Sequence, residues 1–99
     1  MNKTTVIISS PVDTYSGYGA RSRDFISALI KERPEWDVRL LSQRWGNTRF
    51  NYLKDHNDTE LGKLIIQGVK QKPDVWIQIT VPNEFQRIGS FNIGVTAGI

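Results

Sequence analysis

The sequence predicts an α/β fold, a parallel sheet with flanking helices, and three observations carry that reading. Val6, Ile7 and Ile8 form a continuous β-branched run of the kind buried on both faces of a parallel strand. Strand and helix patterns then alternate along the chain. Finally, the connections are asymmetric, short from helix to strand and long where the chain leaves a strand. With 99 residues the chain holds one domain at most. The pattern is that of a Rossmann-like, doubly wound sheet.

The first strand is "TTVIISS", residues 4–10. Pro11, Gly17 and Gly19 interrupt regular structure after it. Phe25, Ile26, Leu29 and Ile30 then recur at helical spacing, with Arg23, Asp24, Ser27 and Lys31 opposite them, and this helix is expected to end near Pro34. "DVRLLS" is the second strand. The polar and aromatic stretch "QRWGNTRFNYLKDHN" separates it from Leu61, Leu64, Ile65, Gly68 and Val69, which predict a second helix. Asn57 and Glu60 have the spacing of a capping box for that helix. Lys70 and Lys72 oppose the macrodipole at its far end, and Pro73 stops it. "DVWIQITVP" is the third strand, with Val75, Ile77, Ile79 and Val81 on one face and Trp76, Gln78 and Thr80 on the other. "FNIGVTA" is the fourth, and Gly94 within it marks a close approach of backbone or ligand. No helical pattern follows to cover this strand, so the sheet is expected to be incomplete at the C-terminus, with residues 1–99 a partial N-terminal domain.

Composition narrows the chemistry. Hydrophobic residues at 38% and charged residues at 23% indicate a globular chain with a packed core. The absence of cysteine removes disulfides, thiolate metal sites and thiol catalysis, and one histidine cannot assemble a metal centre. No cofactor is expected. The net charge of +3 comes from basic residues spread along the chain, which argues against a nucleic-acid partner. The apolar run near the N-terminus is too short for a signal core or a membrane span, and a cytoplasmic location is expected.

About ten residues leave the first strand, about fifteen the second and about ten the third, against a usual few, so one edge of the sheet is heavily decorated. Ligands of open α/β sheets bind outside the carboxyl ends of the strands, the edge these segments occupy. Tolerated insertion is the alternative.

Gly17, Tyr18 and Gly19 lie between the first strand and first helix, where glycine permits close backbone approach and a helix N-terminus offers free N–H groups to a phosphate or sugar. Arg21 and Arg23 add charge. A flexible turn with two solvated arginines remains the other reading. As a dinucleotide fingerprint the stretch is weak, because the loop is too long, Ser22 replaces the third glycine and no acid clearly closes the second strand. Trp45, Arg49, Phe50 and Tyr52 can stack on sugars or bases, or anchor their own loop. Asn83 and Glu84 follow the third strand, and Glu84 is the best-placed carboxylate for a sugar hydroxyl. No partner at a defining spacing makes a catalytic pair, Asp13 being a distant candidate, so the catalytic residues are unassigned. His56 reads as a solvated or capping-region residue.

The stretches "VIISSPVDTYSGYGARSRDFISAL", "DVRLLSQRWGN" and "PDVWIQITVPNEFQRIGSFNIGVTAGI" resemble the amino-terminal part of GT-B glycosyltransferases related to glycogen synthase and sucrose synthase, especially short phage forms. The resemblance spans nearly the whole chain, and "SGYG" and the closing "NIGVTAGI" are its most telling parts. It implies an acceptor-side domain, with the nucleotide-sugar donor and the departing diphosphate held by a second, carboxy-terminal domain. In these terms Gly17, Tyr18, Gly19, Arg21, Asn83, Glu84 and Thr96 are the candidate substrate-binding residues, the acceptor is undetermined, and the chain alone is expected to be inactive. A non-enzymatic nucleotide- or phosphate-binding or interaction module is the alternative.

Overall fold

The structure, a computed structural model, describes residues 4–13, 17–42, 52–57, 59–79 and 86–95. The elements are β1 (Thr5–Ser10), α1 (Gly17–Glu32), β2 (Asp37–Ser42), α2 (Tyr52–Asp55), α3 (Thr59–Gly62), β3 (Val75–Ile79) and β4 (Phe91–Val95). The four strands form one sheet in the order β2-β1-β3-β4, and every neighbouring pair is parallel. The predicted α/β class with a parallel sheet and flanking helices is therefore what the chain adopts.

Register explains which residues meet. Ile8 lies opposite Leu40 on one side and Ile77 on the other, and Val6 opposite Val38 and Val75. Alternation then places Val6, Ile8, Val38, Leu40, Ile77 and Ile79 on one face. Ile26 of α1, Leu53 of α2 and Leu61 of α3 join them in one buried cluster. Within α1, Phe25, Leu29 and Ile30 are half-buried beside Ile26, as the helical periodicity predicts. Arg33 N–H closes the last turn on Leu29 O at 2.8 Å, and Pro34 ends the helix.

The second helix does not form as predicted. Residues 52–55 and 59–62 make two one-turn helices, and the chain then extends, with Leu40 N–H donating to Leu64 O at 2.9 Å and Ile66 N–H to Leu40 O at 2.8 Å. The outer edge of β2 carries backbone groups that need partners, and residues 64–66 supply them. Asn57 is no N-cap for a long helix: its φ of 53° is left-handed, and its N–H donates to Lys54 O at 3.2 Å, so it ends α2. Asparagine is among the few residues other than glycine that adopt this conformation at low cost. Lys70 and Lys72 accordingly lie beyond any helix.

The opposite face of the sheet is closed around Trp76, which is buried beside Ile7 and Gln78. Its Nε1 donates to Gln78 Oε1 at 3.3 Å, and Gln86 N–H donates to the same oxygen at 2.9 Å, tying the chain leading into β4 to the floor of the sheet. Gly89 lies directly on Trp76: a Cβ there would stand 2.8 Å from both Trp76 Cβ and Trp76 N. Because one of those atoms is backbone, the contact cannot relax by a rotamer change, and Gly89→Ala is expected to cost about 1–3 kcal/mol in urea unfolding.

The amino ends of β1 and β3 are joined by Asp74, whose Oδ2 accepts Thr5 N–H at 2.9 Å and Thr5 Oγ1–H at 3.0 Å. The backbone hydrogen bond first, then the hydroxyl, lowers the Asp74 pKa below its ordinary 3.8. A depressed folded-state pKa stabilises above the unfolded value, and that contribution is lost as pH falls through the folded value. The stability difference between wild type and Asp74→Asn, measured by denaturation, is therefore expected to be largest at neutral pH and to shrink as pH falls through the lowered Asp74 pKa.

Candidate functional site at the carboxyl edge

Because all four strands are parallel, Ser10, Ser42, Ile79 and Val95 end at the same edge. Counting residues 64–66 as the third extended segment in the chain, the spatial order is third, second, first, fourth, fifth. The chain leaves β1 towards β2 and later returns to β3 on the other side, which makes the carboxyl ends of β1 and β3 a topological switch point.

The first helix starts earlier than the periodicity predicts. Gly17 and Gly19 belong to its first turn, not to the preceding loop, so only residues 11–16 separate it from β1. Apolar spacing marks only the buried stripe that begins at Phe25. The preceding turn packs through small residues instead: Gly19 is buried and Ser22 is fully so. Ser22 thus occupies the helix–sheet packing position with little bulk. The hydroxyls of Ser22 and of Ser10, at the end of β1, are buried without hydrogen-bond partners among the described residues. Such orphaned groups cost about 1–3 kcal/mol each. The first turn of α1 has no acidic residue, leaving its positive dipole end uncompensated from within.

Arg21 is exposed, whereas Arg23 is not the solvated side chain its position suggested. Arg23 Nη1–H donates to Val12 O at 3.0 Å, and the guanidinium lies 3.4 Å from the centre of the Tyr52 ring. His56 stacks on Tyr52 with centroids 4.0 Å apart and planes 16° from parallel. Asp13 completes the clamp, its carbonyl accepting Tyr52 N–H at 3.0 Å and its Oδ1 accepting Leu53 N–H at 2.8 Å. Tyr52 is therefore an anchor that fastens α2 to the exit of β1, one of the two roles open for it. His56 sits in the capping region, its Nδ1 3.0 Å from Tyr52 O.

Beside this clamp is a cavity of about 450 Å³ walled by Asp13, Lys54, Asn57, Thr59 and Lys63, with Leu53 and Ile65 as its apolar part. Hydroxyl, amide, ammonium and carboxylate groups thus border one hollow whose wall is mainly apolar. Only Asp13 was a candidate from the sequence. Lys54, Asn57, Thr59 and Lys63 come from a polar stretch read from the sequence only as a helix start, within which Asn57 has a positive φ.

Of the other predicted site residues, Gly17 and Tyr18 lie in the first turn of α1. Asn83, Glu84 and Thr96, and with them Trp45, Arg49 and Phe50, lie outside the described residues. Among the described residues no group of three His, Cys, Asp or Glu is placed to hold a metal ion, and no helix is long and apolar enough to cross a membrane.

Comparison of the chain with protein-family models, with curated proteins and with solved structures finds no significant match.

Proposed function

We propose that the chain is the acceptor-side, amino-terminal domain of a GT-B-type glycosyltransferase, working with a second domain that holds the nucleotide-sugar donor. The observation that supports this most is the joint position of the β1 exit, the N-terminus of α1 and the Asp13 cavity at the carboxyl edge of a parallel sheet. The resemblance in "SGYG" and "NIGVTAGI" supplies the choice of a sugar as ligand.

In this reading Asp13, Asn57 and Thr59 hydrogen-bond acceptor hydroxyls, and the domain's contribution is to hold one of them in line with the anomeric carbon. Charge on the departing diphosphate is stabilised by the donor-side domain, which carries most of the electrostatic catalysis. The isolated chain is then expected to bind acceptor oligosaccharides, to bind UDP, UDP-sugars and NAD more weakly, and to catalyse no transfer. Calorimetric titration of each ligand, with a transfer assay, tests this. Robust turnover by the chain alone contradicts it.

A second reading, a nucleotide- or phosphate-binding module without catalysis, draws on the acid-free first turn of α1 and on Lys54 and Lys63 at the cavity. The same titration separates the two, since that module ranks UDP or NAD above every oligosaccharide.

A further inference from the structure

Residues 65–73 lead from the outer edge of β2 to the start of β3, which lies on the far side of β1. The segment must therefore pass two strands, and it does so without a helix. Against the face of the sheet that carries Thr5, Ile7 and Arg39 it leaves a cavity of about 570 Å³. That volume falls within the range of small-molecule sites, roughly 300–1,000 Å³. Thr5, Lys72 and Pro73 place the hollow at the amino ends of β1 and β3, and Ile65 is the one lining residue it shares with the cavity beside Asp13.

Its lining has two chemistries. Ile7, Ile65, Ile66 and Pro73 are the apolar part, while Arg39, Lys70 and Lys72 bring three cations, and no carboxylate of the described residues lines it. Two nearby acids are already engaged, one of them with a cation of this lining. Asp37 Oδ1 is 3.2 Å from Arg39 Nε, and Asp74 accepts both hydrogen bonds from Thr5. The exposed Lys70 and Lys72 thus set the sign of the cavity's field.

We propose that this cavity binds a small organic anion, an apolar or aromatic body bearing a phosphate or carboxylate. The apolar lining gains by losing water to the body, and the ammonium and guanidinium groups receive the head group through charge-assisted hydrogen bonds. The inference is independent of the glycosyltransferase reading, which concerns the opposite end of the strands.

Phenyl phosphate and benzoate are the probes, followed by amide chemical shifts of the ¹⁵N-labelled chain. Benzyl alcohol and inorganic phosphate supply the body or the charge alone. At least one aromatic anion is expected to give saturable shifts at Ile7 and residues 65–73, with both controls about tenfold weaker or more. The ranking of the two anions identifies the head group. Lys70→Glu with Lys72→Glu, at two exposed positions, is expected to keep the folded spectrum and weaken binding about tenfold or more. Gly68→Leu is a second variant, because Gly68 lines the cavity and a Cβ there meets no atom within 4 Å. It is expected to fold and to lose affinity through added bulk. Failure of both anions to saturate by about 10 mM, equal binding of benzyl alcohol, or affinity unchanged by the double charge reversal overturns the proposal.

Discussion

Trp76→Ala is expected to destabilise the protein by about 3–5 kcal/mol. Trp76 is 2% exposed, so the whole indole is exchanged for a void. Three further contacts make collapse of that void difficult. Gly89 rests its backbone on the residue, Gln78 Oε1 accepts the indole N–H, and Asn92 holds Gly89 in place by accepting Gly89 N–H and donating to Gly89 O, both at 2.9 Å. With the indole gone, Gln78 loses a donor and the approach to β4 loses its support. A domain of this size has about 5–15 kcal/mol in total, so the variant sits near its unfolding threshold. Far-ultraviolet circular dichroism in urea is the appropriate measurement, since the substitution also removes a fluorophore. Trp76→Phe, which keeps a ring but not the donor, is expected to lose less.

Leu40→Ala is expected to cost about 2–5 kcal/mol by the same cavity argument. Leu40 is fully buried, opposite Ile8 in the register, and its backbone N–H and C=O hold residues 64–66 to β2. The substitution leaves both backbone hydrogen bonds possible but takes away the packing beneath them. Amide exchange at Ile66 should therefore accelerate more than exchange at Ile8 or Ile77, which lie in the interior strands. Uniform acceleration at all three would show that Leu40 supports the sheet as a whole and not this edge.

Strands were legible because their signals are local. The run Val6-Ile7-Ile8 and the segment "DVRLLS" each carry their own β pattern, and the latter is observed over the same residues, Asp37–Ser42. The second helix was misread because Leu61, Leu64 and Ile65 satisfy helical spacing while also satisfying the actual arrangement, one helical turn followed by an extended pair beside Leu40. Nothing in those residues announces the free edge of β2 that recruits them. The start of α1 was misplaced for a related reason: its first turn meets the sheet through Gly19 and Ser22, and small residues leave no hydrophobic period. At the candidate site, Asp13 was a distant candidate, and the glycines expected in the loop after β1 lie in the first turn of α1. The Arg23–Tyr52–His56 stack and the Asn57–Thr59 wall were not legible, because they depend on a left-handed residue and on contacts between segments about thirty positions apart.

The most direct test of the functional account is a map of amide chemical shifts during titration with an acceptor-type oligosaccharide such as a maltooligosaccharide. The account predicts saturable shifts at Val12, Asp13, residues 17–21 and residues 53–57, the groups around the exit of β1. Shifts confined to residues 66–73 or to β4, or no saturable shift at all, would contradict a sugar site at the carboxyl edge.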